Sequence, residues 1–234
     1  MDKSFIAKMK EPIVENKICS NDLEKYFMAN DKRLIHKWWH YFEIYDKYFS
    51  KFRNKKPTIL EIGVSKGGSL QMWKSYFGEG AKIYGIDIDE TCKNYEEDGI
   101  EIFIGSQEDR DFLKNIKNKI GNIDILIDDG GHEMLQQIIT FEELYSSINV
   151  GGIYLCEDTH SSYFNSSVGA GLKSPNSYIE MTKNLIDKLH SWHTYDIEND
   201  ELTNSTYSIH YYDSVVVIEK RIMEMPWHGM TGNQ

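Results

Sequence analysis

The chain has 234 residues, of which 40% are hydrophobic, and a formal net charge of −11 at pH 7. This length and apolar content predict one domain of ordinary α/β size, whereas the acidic balance disfavours nucleic acid, whose phosphates need a basic surface. Cys19, Cys92 and Cys156 form no C-x-x-C pair, and no apolar stretch approaches the roughly 20 residues of a bilayer span. We therefore expect a cytoplasmic protein with neither a disulfide framework nor a membrane segment.

Residues 1–56 are predicted to form an N-terminal helical extension. Between residues 21 and 52, apolar and aromatic side chains recur at mixed spacings of three and four, which is typical of a helix. The aromatic residues predict packing rather than cofactor stacking, and they are numerous enough to favour a homo-oligomer that covers them. They are Trp38, Trp39, Tyr41, Phe42 and Tyr45.

Strand and helix patterns alternate from Pro57 onward, which predicts a Rossmann-like, doubly wound α/β domain over residues 57–222. Buried strands are predicted at residues 58–62, 82–86, 100–104, 123–127 and 152–156, and helices at 68–76, 109–119, 133–147 and 178–192. Residues 206–211 and 214–220 predict a closing antiparallel pair, so the mostly parallel sheet has seven strands. Residues 223–234 are predicted to be a loosely held tail.

The stretch TILEIGVSKGGS at residues 58–69 predicts a strand, a tight glycine turn and a helix N-terminus, which bring backbone N–H groups against a ligand. Asp87 follows the second strand, where a carboxylate can bind ribose hydroxyls, so the two features predict a nucleoside site. The spacing is neither G-x-G-x-x-G nor a Walker loop, and Glu61 before the turn would repel a pyrophosphate. The site better suits a cationic nucleoside such as S-adenosylmethionine (SAM).

Acidic residues follow two later strands that are expected to be neighbours. Asp128 and Asp129 end the fourth strand, and Glu157 and Asp158 end the fifth. Adjacent strands lie about 4.8 Å apart, so Asp129, Glu157 and Asp158 can converge and would repel one another without a cation between them. Three hard oxygen donors favour Mg²⁺. The alternative is that the acids face water and that Asp129 caps the next helix.

His132 follows the fourth-strand acids after two glycines, which let the backbone turn and direct the imidazole toward the same cavity. Its ordinary pKa of about 6.5 suits a general base. His160 is a weaker candidate that either binds substrate or forms a hydrogen bond within its loop. Ser106 and Gln107 follow the third strand and admit two roles. Ser106 or Gln107 would hydrogen-bond an adenine edge, and Ser106 with Asp109 resembles a capping box for the next helix; both roles can hold together.

These motifs, in this order and spacing, resemble those of the class I SAM-dependent methyltransferases. EIGVSKGGS, IDID, IDDGGH and YLCEDTH look like the metal-dependent branch of the mycinamicin-type macrolide sugar O-methyltransferases and the cephalosporin hydroxylase-like proteins. The resemblance runs from about Asp31, in DKRLIHKWWHYFEIY, to Lys220, in SIHYYDSVVVIEK. It implies a SAM-dependent, Mg²⁺-dependent O-methyltransferase that acts on a hydroxyl of a small, sugar-like acceptor.

The resemblance also implies roles for individual residues. Asp129, Glu157 and Asp158 match the Mg²⁺ ligands of the family, and His132 matches its proposed base. We take His132 and Asp129 as the candidate catalytic residues. The candidate cofactor-binding residues are Glu61, Gly63, Ser69, Asp87, Ser106, Gln107 and Asp128. Trp38 stands where the family often has Tyr, and the loops after Thr159 carry no match, so the acceptor is not specified.

Three other functions are compatible with parts of the pattern. A non-catalytic SAM- or nucleotide-binding module would need the glycine turn but neither the acids nor His132. An NAD-dependent oxidoreductase would need the glycine spacing that is missing, and a metal-dependent hydroxylase would normally need two histidines and one carboxylate. Residues 161–174 are rich in Gly, Ser and Asn and predict either a lid over the site or a plain surface loop.

Overall fold

The computed structural model describes residues 18–232 as an α/β fold. The strands are β1 (Thr58–Ile62), β2 (Lys82–Asp87), β3 (Ile100–Ile104), β4 (Ile123–Asp128), β5 (Ile148–Cys156), β6 (Thr206–Tyr212) and β7 (Val215–Lys220). The α-helices are α1 (Asp22–Met28), α2 (Tyr41–Phe49), α3 (Gly68–Phe77), α4 (Arg110–Ile120), α5 (Met134–Leu144), α6 (Tyr178–His190) and α7 (Glu201–Ser205). The first 17 residues of the predicted extension and the last two of the predicted tail lie outside the described residues.

The strands form one sheet in the order β3-β2-β1-β4-β5-β7-β6. Strands β1 to β5 run parallel, and β7 lies antiparallel between β5 and β6. The predicted doubly wound, mostly parallel seven-stranded sheet with an antiparallel C-terminal pair is therefore confirmed. The strand order reverses between β1 and β4, and ligands of such sheets bind beyond the carboxyl ends of the strands at this switch point.

Helices cover both faces of the sheet, so its central strands are buried on each side. On one face, Trp73 of α3 lies in a buried cluster with Phe42 and Tyr45 of α2. On the other face, Leu113 of α4 and Phe141 of α5 lie in a second buried cluster. Continuous apolar strands covered on both faces are typical of parallel sheets. The strand ends that carry the polar motifs are thus supported by a packed core.

The N-terminal extension is helical, but it is not the continuous helical stretch that the periodicity predicted. Helices α1 and α2 are separated by residues 29–40, which are not helical and which we call the crossing segment. This segment passes over the start of α3, where a Cβ on Gly68 would lie 2.3 Å from the Leu34 carbonyl oxygen. Arg33 donates a hydrogen bond to the Tyr95 carbonyl at 2.8 Å. These tertiary contacts override the local helix preference.

The aromatic face of α2 packs into the core of its own chain. Tyr41, Phe42 and Tyr45 are buried, whereas Trp38 of the crossing segment is 41% exposed. The inference of a homo-oligomer from surplus aromatic surface therefore loses most of its basis. The oligomeric state stays a prediction.

Some element boundaries differ from those predicted. Strand β5 begins at Ile148 rather than at Gly152, because the pairing with β4 continues past an irregularity in register. Residues 159–163 form a 3₁₀ helix, so the predicted loop at 161–174 begins in ordered structure. The short helix α7 was not predicted.

Two expectations from the sequence concern disulfide bonds and membrane-spanning segments. Cys19, Cys92 and Cys156 are free cysteines. Among residues 18–232, no helix has both the length and the apolar character needed to cross a membrane. The cytoplasmic location stays a prediction.

Candidate functional site

Two adjoining cavities lie at the carboxyl ends of the strands, on either side of the glycine turn. Gly63 has a φ of +95°, and a Cβ there would lie 1.9 Å from the Asp129 carbonyl oxygen, so only glycine fits. Each cavity has a volume of about 250 Å³. Both are lined by Gly63, Ser65, Asp129 and Gly130, so they share one wall. We call them the β2-side cavity and the β5-side cavity, after the strand that ends at each.

The β2-side cavity is lined by four of the predicted cofactor-binding residues, Gly63, Asp87, Ser106 and Gln107. Asp87 Oδ2 accepts hydrogen bonds from the backbone N–H groups of Val64 and Ser65, both at 2.9 Å. Asp87, the last residue of β2, therefore holds the glycine turn after β1. The sequence predicted that the glycine turn and Asp87 would each contact the ligand, whereas in the structure they are also hydrogen-bonded to each other.

Gln107 fixes the loop that follows β4. Its Nε2 donates to Asp128 Oδ1 and to Thr140 Oγ1, both at 3.1 Å, and its Oε1 accepts from the Gly131 N–H at 3.1 Å. Asp128 is fully buried, and burial raises its pKa to about 6, although the bond from Gln107 opposes the shift. Gln107 and Asp128, both predicted to bind the cofactor, are thus hydrogen-bonded to each other.

The N-caps of α4 and α5 are not the residues that the sequence suggested. Asp109 is the N-cap of α4, where its side chain accepts from two backbone N–H groups of the first turn. The predicted capping box with Ser106 at the N-cap is therefore wrong, because Asp109 itself takes that position. Glu133 is the N-cap of α5, so the alternative in which Asp129 caps that helix is also wrong.

Glu61 lies fully buried in β1 and contacts another predicted residue directly. Its Oε2 accepts from Ser69 Oγ at 2.8 Å. Its Oε1 has no hydrogen-bond partner and lies 3.6 Å from Lys37 Nζ. Burial raises the pKa of Glu61 to about 7, although the Lys37 charge opposes the shift. A positive charge nearby would stabilise the ionised form of this carboxylate.

Asp129, His132 and Asp158 come together at the ends of β4 and β5. One possible ligand atom from each lies within 4.8 Å of the other two. His132 Nε2 is 3.3 Å from Asp158 Oδ2, whereas His132 Nδ1 is buried without a hydrogen-bond partner. The φ angles of His132 and Asp158 are +59° and +50°, a strained conformation that is typical of functional sites. Two carboxylates and an imidazole so arranged can hold a divalent cation.

Two tyrosines of α2 hold the acids that follow β5. Tyr41 donates to Asp158 Oδ1 and Tyr45 donates to Glu157 Oε1, both at 2.6 Å. Residues four apart lie on one face of a helix, so consecutive turns of α2 meet consecutive acids. Burial and the neighbouring carboxylates raise the pKa of both phenols, which therefore remain hydrogen-bond donors.

Lys37 of the crossing segment lies among three carboxylates. Its Nζ is 2.5 Å from Asp129 Oδ2, 3.0 and 2.9 Å from the two oxygens of Glu157, and 3.6 Å from Glu61 Oε1. The Lys37 side chain is only 2% exposed. Burial by itself would lower the pKa of Lys37, but the three carboxylates raise it well above its ordinary range. The ammonium therefore stays charged.

The three predicted metal ligands have different surroundings in the structure. Asp129 and Asp158 lie together with His132, whereas both oxygens of Glu157 are bonded to Lys37, and one of them also to Tyr45. Burial, reinforced by the Asp129 charge, raises the pKa of Glu157. The ligand set Asp129, Glu157 and Asp158 stays a prediction.

Lys37, Tyr41 and Tyr45 were not assigned to the site from the sequence. The available signals were a single lysine within the aromatic run LIHKWWHYFEIY and two tyrosines at helical spacing. Neither signal indicates which acids these side chains meet, because the acids to which they donate hydrogen bonds lie more than 90 residues away.

An aromatic rim, made of Trp38, His160 and Phe164, lies beside Asp158. The His160 ring is 6.2 Å from the Trp38 ring and 5.4 Å from the Phe164 ring, centroid to centroid. His160 Nδ1 is 3.9 Å from Asp158 Oδ1, and His160 is not one of the three residues that share the possible metal site. Trp38 and Phe164 are each 41% exposed, so the rim presents apolar surface at the site.

The sheet order and the glycine turn between the two cavities define the class I SAM-dependent methyltransferase fold. A solved MycE methyltransferase from the mycinamycin biosynthetic pathway, in complex with Mg, SAH and mycinamycin VI, matches with a TM-score of 0.75. It is 30% identical, and the match covers 86% of this chain and 53% of that chain. No family model matches the chain.

Curated sugar O-methyltransferases are similar in sequence. The chain is 33% identical over 203 residues to 8-demethyl-8-alpha-L-rhamnosyl tetracenomycin-C 2'-O-methyltransferase of Streptomyces olivaceus, covering 82% of this chain and 52% of the relative. It is 32% identical over 191 residues to mycinamicin VI 2''-O-methyltransferase of Micromonospora griseorubida, covering 75% and 47%. The chain spans about half the length of the curated relatives it matches. It has the class I SAM-dependent methyltransferase fold, and these sugar O-methyltransferases are its homologues.

Proposed function

We propose that the chain is a SAM-dependent, Mg²⁺-dependent O-methyltransferase that methylates a hydroxyl of a sugar or sugar-derived moiety. The observation that carries the proposal is the position of the Asp129–His132–Asp158 group, which lines the cavity next to the glycine turn. By their names, the relatives act on rhamnosyl tetracenomycin C and on mycinamicin VI. A small hydroxylated acceptor is consistent with both.

The residues in and next to the two cavities fit SAM. Gly63 and Glu61 would meet the methionyl part. Gly63 lines both cavities, whereas Glu61 lines neither and is fully buried, and its oxygen without a hydrogen bond suits a cationic ligand. Asp87 would meet the ribose hydroxyls, and Ser106 would lie near the adenine. When bound, SAM supplies an electrophilic methyl group on a sulfonium. The two adjoining cavities together have room for a ligand with a nucleoside end and an amino-acid end.

Ser69, Gln107 and Asp128 would support the cofactor site through other residues. Ser69 donates to Glu61, so it fixes the orientation of that carboxylate. Gln107 and Asp128 bond to each other and position the glycines after β4, of which Gly130 lines both cavities and Gly131 lines the β2-side cavity. We therefore treat these three as positioning residues rather than as direct contacts.

Asp129, Glu157 and Asp158 are the proposed Mg²⁺ ligands. Carboxylate oxygens are the donors that Mg²⁺ prefers, and Asp129 and Asp158 already lie close together. When bound, the ion would act as a Lewis acid and an orienting template for the acceptor oxygens. Tyr41 and Tyr45 would hold Asp158 and Glu157 in place through their hydrogen bonds.

His132 is the proposed general base. The pKa of an alcohol is far above neutral, so its proton has to leave as the new bond forms. The His132 ring lines the β5-side cavity and would accept that proton through one of its two nitrogens. Asp158 would orient the ring and stabilise the imidazolium. Asp129, the other catalytic candidate, would add negative charge on the same side.

The aromatic rim of Trp38, His160 and Phe164 is the proposed wall of the acceptor site. Its exposed aromatic faces suit the apolar faces of a glycosylated molecule. Because the rim lies beside Asp158, an acceptor that rests on it would have its hydroxyls near the proposed metal and base.

Transfer of an isotopically labelled methyl group from SAM tests the proposal. Nucleotide-linked sugars and glycosylated natural products serve as the acceptor panel, and we expect product with at least one of them. EDTA should abolish transfer and Mg²⁺ should restore it. Transfer that survives exhaustive chelation would contradict the metal dependence.

Thermal shift separates the other functions considered. Stabilisation by SAM without transfer to any acceptor would favour a non-catalytic SAM-binding module. Stabilisation by NAD in place of SAM would favour an oxidoreductase, and stabilisation by Fe²⁺ with hydroxylation would favour a hydroxylase. The Asp129–His132–Asp158 group has two carboxylates and one imidazole, the reverse of the usual iron-oxygenase set.

The proposal includes the organisation of the chain. We assign residues 1–56 to an N-terminal extension, residues 57–222 to the SAM-binding domain and residues 223–234 to a tail. We keep a cytoplasmic location and a homo-oligomer as predictions. We expect neither a nucleic acid nor a membrane partner.

A further inference from the structure

Lys37 takes the place that a metal ion would need among the acids of the β5-side cavity. Its ammonium bonds to Asp129 Oδ2 and to both oxygens of Glu157. These are two of the three carboxylates proposed to bind Mg²⁺. Asp129 is shared most directly, because it also belongs to the group with His132 and Asp158.

The Lys37 ammonium neutralises only part of the negative charge of the three carboxylates around it. Glu61, Asp129 and Glu157 together carry three formal negative charges when ionised, against one ammonium. Glu61 and Glu157 are buried, and the Asp129 side chain is 19% exposed, so water screens these charges weakly. A divalent ion would balance two carboxylates better than an ammonium does.

An ammonium and a divalent cation that bind the same carboxylate oxygens repel each other strongly in a buried site. We propose that Lys37 is the resident cation of the Asp129–Glu157 pair, and that a divalent ion binds by displacing it. Lys37 therefore sets the metal affinity of the site. This inference rests on the proposed metal dependence of the enzyme and goes beyond it.

Displacement of Lys37 would also act on the shape of the cavity. Leu34, Ile35, His36 and Lys37 of the crossing segment all line the β5-side cavity. The next residue, Trp38, belongs to the aromatic rim. A shift of Lys37 away from the acids would therefore change the lining of this cavity next to the rim.

Calorimetric titration with Mn²⁺ and with Mg²⁺ tests the exchange. We expect Lys37→Met to bind the divalent ion at least tenfold more tightly than the wild type, because the competing ammonium is gone. Lys32→Met is the matched control. It removes the same charge from an exposed position of the same segment and should leave the affinity unchanged. Equal or weaker binding by Lys37→Met would overturn the exchange.

A second measurement uses the wild-type chain, in case Lys37→Met does not fold. Lysines are acetylated with an amine-reactive ester, with and without a saturating divalent ion, and each site is quantified by mass spectrometry. We expect the buried Lys37 to become at least severalfold more reactive with metal, while Lys32 stays unchanged. Lys37 that remains protected at saturation would show that it is a permanent counter-ion, and the exchange would be wrong while the proposed function stands.

Failure of the proposed function would look different. If neither the wild type nor Lys37→Met binds a divalent ion, both the metal dependence and the exchange are overturned. If the metal binds, the behaviour of Lys37 decides the exchange alone.

Discussion

The two cavities of the site are built in different ways. The β2-side cavity is organised within strand–helix–strand units, because Asp87 holds the turn that precedes α3. The β5-side cavity depends on residues from far along the chain, since Lys37 bonds to Asp129 and Tyr45 bonds to Glu157. The first arrangement follows from local motifs and the second from the path of the crossing segment. We therefore expect substitutions near β2 to affect cofactor binding, and those near β5 to affect turnover or stability.

Replacement of His132 should have the largest effect. Asn tolerates a positive φ better than Ala, so His132→Asn removes the imidazole with less backbone strain. We expect turnover to fall by roughly 10²-fold or more, the usual contribution of a general base, with SAM binding unchanged. Labelled methyl transfer at saturating SAM, together with calorimetric SAM binding, measures both.

His160→Asn is the matched control, because it removes the other imidazole near Asp158. It should change the KM for the acceptor more than the turnover number. If His132→Asn kept full turnover, His132 would not be the base.

Replacement of Asp128, which lies next to the wall that the two cavities share, should have the next largest effect. The quantity affected is the pH dependence of the free energy of unfolding. The Asp128 pKa of about 6 in the folded chain lies above the ordinary 3.8 because of burial. Between about pH 4 and pH 6 the unfolded state binds fewer protons than the folded state, so the free energy of unfolding falls as pH rises through this window. Above it, the loss for the buried carboxyl stays constant at about 3 kcal/mol at most.

Asp128→Asn should therefore reduce the loss of stability between pH 4 and pH 7 by roughly 2–3 kcal/mol relative to the wild type. Urea unfolding at the two pH values measures this difference. Glu79→Gln removes an exposed carboxylate and serves as the control, which should follow the wild-type profile. An Asp128→Asn profile as steep as that of the wild type would contradict the assigned shift.

Asp87→Asn should affect the β2-side cavity alone. The loss of charge weakens both the hold on the glycine turn and the proposed contact with ribose. We expect the Kd for SAM to rise roughly tenfold, which corresponds to about 1.4 kcal/mol, with turnover at saturating SAM nearly unchanged. Asp89→Asn alters the neighbouring exposed acid and should bind SAM normally. A large loss of turnover in Asp87→Asn would contradict the expectation that substitutions at the β2-side cavity affect cofactor binding alone.

Tyr45→Phe should have the smallest effect. It removes one hydrogen bond to Glu157, but Lys37 still donates to the same oxygen, so no buried acceptor is left alone. We expect the free energy of unfolding to fall by about 1 kcal/mol. Tyr76→Phe also removes a phenol–carboxylate bond, to Asp46, away from the site, and it is the control. A loss of several kcal/mol in Tyr45→Phe alone would show that Lys37 depends on the phenol.

Features set by short stretches of sequence could be predicted. The apolar strands from β1 to β5, the glycine turn at Gly63 and the acids after β2, β4 and β5 each follow from residues that are adjacent in the chain. The parallel direction of those strands then follows from the helical crossovers between them, which return the chain to the same end of the sheet. The role of Gly63 was also predictable in kind, although its closeness to the Asp129 carbonyl was not.

The break in the N-terminal extension could not be predicted, because the aromatic periodicity continues through it. The tertiary contacts of Leu34 with the start of α3 and of Arg33 with Tyr95 show why residues 29–40 leave the helix. The caps were also misjudged, since Asp109 and Glu133 compete with nearby polar residues for the same N–H groups, and small differences in backbone geometry decide between them.

Periodicity and motif spacing determined that this chain forms a doubly wound sheet with a nucleoside-binding turn and acids at neighbouring strand ends. These features depend on hydrophobic alternation and backbone geometry, which act over a few residues. The tertiary structure alone decided which cation meets those acids and which tyrosines hold them. Lys37, Tyr41 and Tyr45 reach the site only because the crossing segment packs over α3, and no local preference encodes a contact across more than 90 residues.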